Sequence, residues 1–293
     1  MAKSIGIKAP YTVYSISSSD EEDAISFLEH EKDFSFFLLG NLKAHGLKIS
    51  EEPNSGNFKL IRDSSGQIVA VFCLARRGNL LVQSTVYEPI FDLIVEACSQ
   101  EPVPLKGVLG DWNFAAPFWN YLKSKEIIHK ELYCAKEVLY RLELSKLSVK
   151  PQKSVRILTD VDFPEWQKLR LDYLSEMGLP NDLSDIEMRS QFLQKAAHQM
   201  VWGVFKGAQL ACIAVLNAKT SIAGVVGGVY TPPNYRRQGL AKQLMHQLML
   251  DAKIKHGLQK LFIFTGDTNI PARKLYEGLQ TVQIGYFALL FGE

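Results

Sequence analysis

Length, composition and charge place this chain among ordinary globular proteins. Its 293 residues exceed a typical single core, so the length predicts two domains of roughly 150 residues each. Hydrophobic residues make up 47% and charged residues 22% of the chain, which excludes an intrinsically disordered protein. A formal net charge of +2 is too small to indicate nucleic-acid binding, so local basic clusters are the informative charge feature.

The first half of the sequence predicts a mixture of strands and helices. The acidic, cap-rich residues 17–22 precede the first helix, and Gly46 ends the second. Three runs of strand-forming residues, separated by turn signals, predict an antiparallel meander. The predicted strands are residues 11–16, 58–62, 67–74, 80–86, 105–109 and 131–144, the last being one long strand or a hairpin; the predicted helices end near residue 30 and span 34–45, 87–98 and 115–122.

A polar, lysine-rich segment divides the chain. Residues 145–154 contain Pro151 and predict a linker, which gives two domains, 1–148 and 149–293. After this linker the same order of elements begins again. The predicted strands are residues 155–158, 200–205, 210–216, 222–231, 261–265 and 282–291, and the predicted helices are 165–176, 184–198, one beginning near 240, and 272–279.

The cysteines and apolar segments indicate a soluble protein inside the cell. The four cysteines lie far apart and fit neither a metal site nor a disulfide framework. Residues 1–8 lack the apolar core of a signal peptide, and no segment approaches the ~20 apolar residues of a membrane span. The sequence therefore predicts a cytoplasmic protein with no metal, no membrane association and no nucleic-acid partner.

Short matches between the two halves predict an internal duplication. Gly110-Asp111-Trp112-Asn113 precedes its helix as Gly266-Asp267-Thr268-Asn269 precedes the later one, and Val86-Tyr87 corresponds to Val229-Tyr230. The interval between the two matches is longer in the second half, where it contains a loop rich in arginine and glycine. A chance match is the alternative; under duplication only the second copy keeps this loop.

That loop is the most informative stretch of the chain. A strand ends in Pro232 and Pro233, residues 236–241 follow as Arg-Arg-Gln-Gly-Leu-Ala, and a helix with leucines at four-residue spacing begins. We call residues 236–241 the basic loop. Because it lies at a helix N-terminus, where backbone N–H groups are unpaired and the dipole favours anions, it predicts a phosphate site.

The basic loop resembles the pyrophosphate motif of the GNAT superfamily of acyl-CoA N-acyltransferases. That motif is Gln or Arg, two residues, Gly, one residue, and Gly or Ala, and Arg236, Gly239 and Ala241 occupy its fixed positions. The segment from Asn269 to Gly278, with Ala272 and Tyr276, is similar to the family's segment after the next strand. In the first half, residues 36–42 are similar to a segment of bacterial two-domain members.

The resemblance implies an α/β fold (an α+β mixed sheet) of two tandem GNAT-like domains. Each would be a mostly antiparallel twisted sheet flanked by helices, with a degenerate first domain and a catalytic second domain. It also implies acetyl-CoA as acyl-donor cosubstrate, with strand backbone groups holding the pantetheine arm and the loop holding the phosphates. The cofactor-binding residues expected on this basis are Val229, Thr231, Arg236, Arg237, Gln238, Gly239, Leu240, Ala241, Lys242 and Asn269. Asn269 would also serve as a helix cap.

Two residues are the expected catalytic groups. A phenol at Tyr276, held near the sulfur, would stabilise or protonate the thiolate that acyl transfer expels, and the alternative is a core tyrosine. The strand before the basic loop contains no acid, although the family often places its base there. Glu176 is therefore the first candidate for the base, followed by Asp267, His198 and a chain of waters; a surface carboxylate is the alternative for Glu176.

The resemblance predicts a transferase, an acetyl-CoA-dependent N-acetyltransferase. It would act by direct attack of a primary amine in a ternary complex, and the acceptor would be a small molecule or amino-acid-like. The alternative is a CoA-binding regulatory or interaction protein without catalysis. The expected assembly is a monomer or homodimer.

Overall fold

The computed structural model of the chain describes residues 10–30, 33–179, 181 and 183–293. The prediction for residues 1–8 lies outside this range. The chain divides into two units, one of residues up to Val138 together with Gly285–Glu293, and the other of Leu139–Ile284. The division falls inside a strand, before the predicted boundary at residue 148.

The first unit follows the predicted order of elements. Residues 131–143 form one continuous strand, which decides between the strand and the hairpin. The elements are β1 (Tyr11–Ser15), α1 (Glu21–His30), α2 (Phe36–His45), β2 (Gly56–Asp63), β3 (Ile68–Ala75), β4 (Asn79–Ser84), α3 (Phe91–Ser99), β5 (Gly107–Asp111), α4 (Trp112–Ser124) and β6 (Glu131–Glu143), of which β6 ends in the second unit.

The second unit repeats this order. Its elements are β7 (Val155–Ile157), α5 (Phe163–Met177), α6 (Asp185–Ala197), β8 (Val201–Lys206), β9 (Gln209–Lys219), β10 (Ala223–Tyr230), α7 (Leu240–Ile254), β11 (Lys260–Gly266), α8 (Ile270–Glu277) and β12 (Val282–Gly292), of which β12 ends in the first unit. Both halves therefore run strand, two helices, three strands, helix, strand, helix, strand.

Each unit has a mostly antiparallel sheet, as the sequence predicts. In the first unit the strands lie in the order β1-β2-β3-β4-β5-β12-β6, and β4 and β5 are parallel. In the second unit the order is β6-β11-β10-β9-β8-β7, and β10 and β11 are parallel. A parallel pair needs a crossover, and α3 and α7 supply it. The predicted α/β class is confirmed.

The helices cover both faces of each sheet. In the first unit, α1 and α2 bury Leu28 and Leu38 on one face while α3 and α4 bury Ile94 and Phe118 on the other. In the second unit, α5 and α6 bury Trp166 and Phe192 against β8 and β9. Burial of such side chains stabilises each layer by about 1.5–3 kcal/mol per residue.

Helix α7 packs on the opposite face of the second sheet through a polar contact as well as leucines. Trp202 of β8 is fully buried and donates its indole N–H to Asp251 Oδ2 of α7 at 2.9 Å. This bond satisfies a buried donor and a buried acceptor together. Among the described residues, no helix is long and apolar enough to cross a bilayer.

Candidate active site

Strands β10 and β11 separate part-way along their length. Their parallel register runs from Ala223 opposite Lys260 to Val226 opposite Ile263. Strand β10 continues to Tyr230 and β11 to Gly266, so residues 227–230 and 264–266 extend beyond the paired part, and we call this unpaired stretch the strand gap. Over four residues the gap is about 13 Å long. Backbone amides along such an edge can bond an extended ligand.

A bulge shapes the β10 side of the strand gap. The register of β10 against β9 shifts between Gly227 and Tyr230, and Gly228 has a φ of +57°. A left-handed residue in a bulge favours glycine because it has no Cβ. A Cβ on Gly227 would lie 2.1 Å from Nδ2 of Asn217, so a side chain at this position would displace the Asn217 amide. The two glycines let polar side chains approach the backbone closely.

The basic loop follows the strand gap and opens α7. Arg237 has a φ of +60° and Gly239, the N-cap, a φ of +76°. The first helical bond runs from Gln243 N to Gly239 O, so the N–H groups of residues 240–242 precede it. A Cβ on Gly239 would meet no atom within 4 Å, which shows open space at the helix start. The loop therefore offers backbone donors and basic side chains to an anion.

The two predicted residues Arg236 and Glu176 lie together. Nη2 of Arg236 donates to both carboxylate oxygens of Glu176, at 2.7 and 2.6 Å, and Arg236 Nε donates to Thr231 O at 2.9 Å. Tyr230 also donates its hydroxyl to Glu176 Oε2, at 3.3 Å. Burial raises the pKa of Tyr230, and the Glu176 charge raises it further. Both predicted side chains are thus engaged by one another at the end of β10.

A row of side chains on α5 lies alongside β10. Arg170, Tyr173 and Glu176 are three residues apart, which places them on one side of the helix, and we call them the α5 row. Arg170 lies beside Gly228, the ring of Tyr173 lies 6.1 Å from that of Tyr230, and Glu176 bonds Tyr230 and Arg236. The row therefore runs from the bulge to the basic loop.

Helix α8 places Asn269 and Tyr276 beyond the end of β11. Asn269 caps α8, its Oδ1 accepting from Ala272 N at 3.3 Å, as the sequence predicts. Tyr276 is 5% exposed and its ring meets that of Tyr140 edge-on at 6.0 Å. Tyr140 in turn donates to Glu277 Oε1 at 2.9 Å. Tyr276 is thus a packed side chain on the helix that follows the strand gap.

The other predicted cofactor-binding residues lie at the end of β10, in the basic loop and at the start of α7. Thr231 donates its hydroxyl to Cys212 Sγ at 3.1 Å, and Gln238 donates its side-chain amide to Asn234 O at 3.3 Å. Leu240 is buried, whereas Val229, Ala241 and Lys242 are at least partly exposed. The two reserve candidates for the base are exposed: Asp267 O accepts from Arg273, and His198 caps the C-terminal end of α6.

Five residues at the bulge were not among the predicted site residues: Arg170, Lys195, Asn217, Gly227 and Gly228. The first two resemble ordinary charged residues of an exposed helix face. One signal was present: Arg170 lies on the apolar side of α5, four residues after buried Trp166 and three before Tyr173. A cation in that position is uncommon unless it has a function or a partner.

In the described part of the first unit, the segment between β4 and α3 is not a counterpart of the basic loop. Between β4, which ends at Ser84, and α3, which begins at Phe91, the chain forms the short turn Glu88–Ile90. This turn contains an acid and a proline where the second unit has two arginines and a glycine. The part of the chain that the structure describes contains no group of three or more His, Cys, Asp or Glu that could hold a metal ion.

A protein-family model matches part of the second unit. Residues 163–279 match the model of the acetyltransferase (GNAT) family. This range includes the α5 row, the strand gap, the basic loop and Tyr276. No curated protein matches the sequence significantly.

Solved structures of similar fold cover nearly the whole chain. A Drosophila protein, 12% identical, has a TM-score of 0.67 and covers 95% of this chain and 98% of its own. A GCN5-related N-acetyltransferase from Sphaerobacter thermophilus is 12% identical and has a TM-score of 0.61. The match covers 97% of this chain and 95% of that protein. A tandem GNAT protein from the clavulanic acid biosynthesis pathway is 9% identical and has a TM-score of 0.55. The match covers 96% of this chain and 97% of that protein. At such low identity these likenesses establish the fold alone.

Proposed function

We propose that this chain, a GNAT-superfamily member through residues 163–279, is an N-acetyltransferase that uses acetyl-CoA. The acceptor is the primary amine of a small or amino-acid-like molecule, which attacks directly in a ternary complex. The observation that carries the proposal is the continuity of the strand gap with the basic loop. One extended ligand with a phosphate end and an amide-bearing arm fits both.

The residues present fit coenzyme A. Its pyrophosphate matches the open start of α7, where Gly239 leaves space and the N–H groups of residues 240–242 are available. Arg237 and Lys242 are exposed beside this point and add positive charge. The pantetheine arm matches the β10 edge from Thr231 back to Val229. When bound, acetyl-CoA would supply an acetyl group, activated as a thioester, for transfer to nitrogen, with coenzyme A leaving as the free thiol.

Arg236 has a different task from the other cations of the loop. Its guanidinium bonds Glu176 and Thr231 O, so it ties the basic loop to α5 and to the end of β10. A loop held in its binding conformation loses less entropy when a ligand arrives. Arg236 and Glu176 therefore support coenzyme A binding by positioning the loop.

Tyr276 is proposed to hold the proton that the departing sulfur needs. It lies on α8, which begins four residues after the end of β11, one of the two strands that flank the strand gap. Its ring is fixed by burial and by the edge-on contact with Tyr140. A phenol in a fixed position can donate to a thiolate as charge develops.

The amine can lose its proton without a dedicated carboxylate. Strand β10 carries no acid, and the Glu176 carboxylate is engaged by Arg236 and Tyr230. Water at the mouth of the strand gap is sufficient for an amine that is partly neutral at the working pH. Glu176 would act as the base only when Arg236 releases it.

The test is release of free thiol from acetyl-CoA across a panel of primary amines. Acetyl-CoA affinity is measured separately by titration calorimetry. Thiol release that depends on an amine, with formation of the acetylated amine, supports the proposal. Binding of acetyl-CoA without thiol release on any amine would identify a CoA-binding protein without catalysis instead.

A further inference from the structure

Two cationic side chains meet above the bulge of β10. Arg170 comes from α5 and Lys195 from α6, and we call them the cation pair. Both are partly buried on the face of the sheet that α5 and α6 cover. Neither belongs to the basic loop, which is reached at the far end of β10.

Arg170 lies beside the double glycine. Its Nη1 would lie 3.4 Å from a Cβ on Gly228, an ordinary contact distance, so the guanidinium packs against the bulge. The guanidinium carbon lies 5.2 Å from the centre of the Tyr173 ring, which supports it from the side. Burial lowers the pKa of Arg170, a sign that the charge has lost water without gaining a counter-charge.

Lys195 approaches the same point from α6. Its Nζ donates to Asn217 O at 2.9 Å and to Leu216 O at 3.3 Å. Burial and the neighbouring Arg170 charge lower the pKa of Lys195 to about 8. The side-chain amide of Asn217 reaches over Gly227 and adds a third donor.

The cation pair lacks an acidic partner within the part of the chain described. Neither Arg170 nor Lys195 forms an ion pair there, although arginines 156, 62 and 236 all do. The nearest residue of the α5 row with a carboxylate, Glu176, binds Arg236 instead. Two desolvated cations side by side repel one another and favour an anion between them.

The position of the cation pair relates it to the proposed reaction. The ladder between β10 and β11 ends at Val226, and Gly228 is two residues farther, about 7 Å along the strand. This is the closed end of the strand gap, opposite the basic loop. An acyl donor whose phosphates lie at α7 and whose arm follows β10 presents its thioester toward this end.

We propose that the cation pair binds the carboxylate of an amino-acid acceptor and so holds its amine at the closed end of the strand gap. The inference rests on the proposed function and narrows its substrate class to amines that carry a nearby carboxylate. Arg170 matches a planar carboxylate because its guanidinium donates two parallel N–H bonds. Lys195 adds charge, and Asn217 adds a further donor.

The first measurement compares each amino acid with its primary amide, which lacks the carboxylate charge. Glycine, serine, glutamate, lysine and phenylalanine are assayed against their primary amides for thiol release from acetyl-CoA. The amine of an amide is less basic, so a larger fraction is reactive, and intrinsic reactivity favours the amide. A preference of about tenfold to hundredfold for the best amino acid over its amide is expected from a charge-assisted bond.

Variants assign that preference to Arg170. Arg170→Met removes the charge and keeps much of the stem, and Arg170→Lys keeps the charge without the planar fork. The ratio of kcat/KM between acid and amide should fall to one or below in Arg170→Met, because intrinsic reactivity favours the amide, and to an intermediate value in Arg170→Lys. Lys168→Met is the control, since Lys168 lies on α5 on the exposed side and its loss should leave the ratio unchanged. Thermal unfolding checks that each variant is folded.

A binding measurement separates this inference from the proposed function. Titration calorimetry with the same acids and amides, without acetyl-CoA, requires no turnover. Tighter binding of an acid than of its amide, lost in Arg170→Met, supports the site even if no thiol is released, whereas absent thiol release would count against the proposed function alone. Equal binding and equal turnover of acids and amides in the unaltered protein would overturn the inference and leave an acetyltransferase for neutral or basic amines.

Discussion

The carboxylate of Glu176 accepts two hydrogen bonds from one nitrogen of Arg236, at 2.6 and 2.7 Å. The pair joins α5 to the loop that opens α7, and Arg236 also bonds Thr231 O. Both side chains are more than 40% exposed, so water weakens the pair. It holds the basic loop in shape rather than supplying much stability.

We expect Glu176→Gln to weaken acetyl-CoA binding by up to about fivefold, the range of an exposed ion pair. The turnover number should change little, because the carboxylate acts on Arg236 and not on the amine. Calorimetry gives the affinity and steady-state assays give kcat. Asp172→Asn, an exposed carboxylate on the same helix, is the control. A fall in kcat of about a hundredfold or more would instead assign Glu176 as the base.

Tyr276→Phe should lower kcat by about a hundredfold, the smaller end of what a positioned acid contributes. Acetyl-CoA affinity should be unchanged, since the ring and its contact with Tyr140 remain. The measurement is kcat together with a calorimetric affinity. Tyr14→Phe, an exposed tyrosine in β1, serves as control. Unaltered turnover would leave Tyr276 as a core residue only.

One molecule of acetyl-CoA should bind per chain. The second unit has the basic loop, whereas the first has the short turn Glu88–Ile90 before α3. Calorimetric titration should give a stoichiometry of one. Arg237→Asn should weaken that single binding event, with asparagine chosen because it tolerates the left-handed conformation at φ +60°. A second binding event that survives this change would place another site elsewhere in the chain.

Stability should fall in acid partly through Asp162. Arg156 donates to its two oxygens at 2.7 and 2.6 Å, and this lowers the pKa of Asp162 from 3.8. A carboxyl whose pKa is lower in the folded state stabilises the fold at neutral pH. That contribution disappears as the pH falls below 3.8 toward the folded-state pKa.

Asp162→Asn should therefore cost about 1–2 kcal/mol of unfolding free energy at pH 7, since Arg156 is half exposed and partly screened. The variant should lose less stability than the unaltered protein between neutral and acid pH. Urea unfolding at a series of pH values measures this. Parallel curves for the two proteins would show that Asp162 does not contribute to the acid transition.

Local patterns carried most of the fold prediction. Leucines at four-residue spacing predicted α7, and runs of strand-forming residues separated by a turn signal predicted β2 and β3. The predicted phosphate site also rested on local sequence, because the arginines, the glycine and the helix start are consecutive. Asn269 was predicted as a cap, and the structure confirms it.

Features that depend on how distant segments pack together could not be predicted from the sequence. The end of pairing at Val226 and the bulge at Gly228 arise from the way in which β9, β10 and β11 meet. Arg170 and Lys195 are 25 positions apart and become neighbours only when α5 and α6 pack on one face. The contact between Glu176 and Arg236, separated by 60 positions, is of the same kind.

Because β12 completes the sheet of the first unit, the order of synthesis affects when that sheet can form. Residues 287–291 pair with residues 107–111 of β5, so the first unit contains a segment that is synthesised after the whole of the second unit. Until then β5 has an open edge beside its apolar core, a state in which strands from different chains can pair. The first unit is thus begun before the second unit but completed after it, and a nascent chain that stalls before residue 285 is exposed to aggregation through this edge.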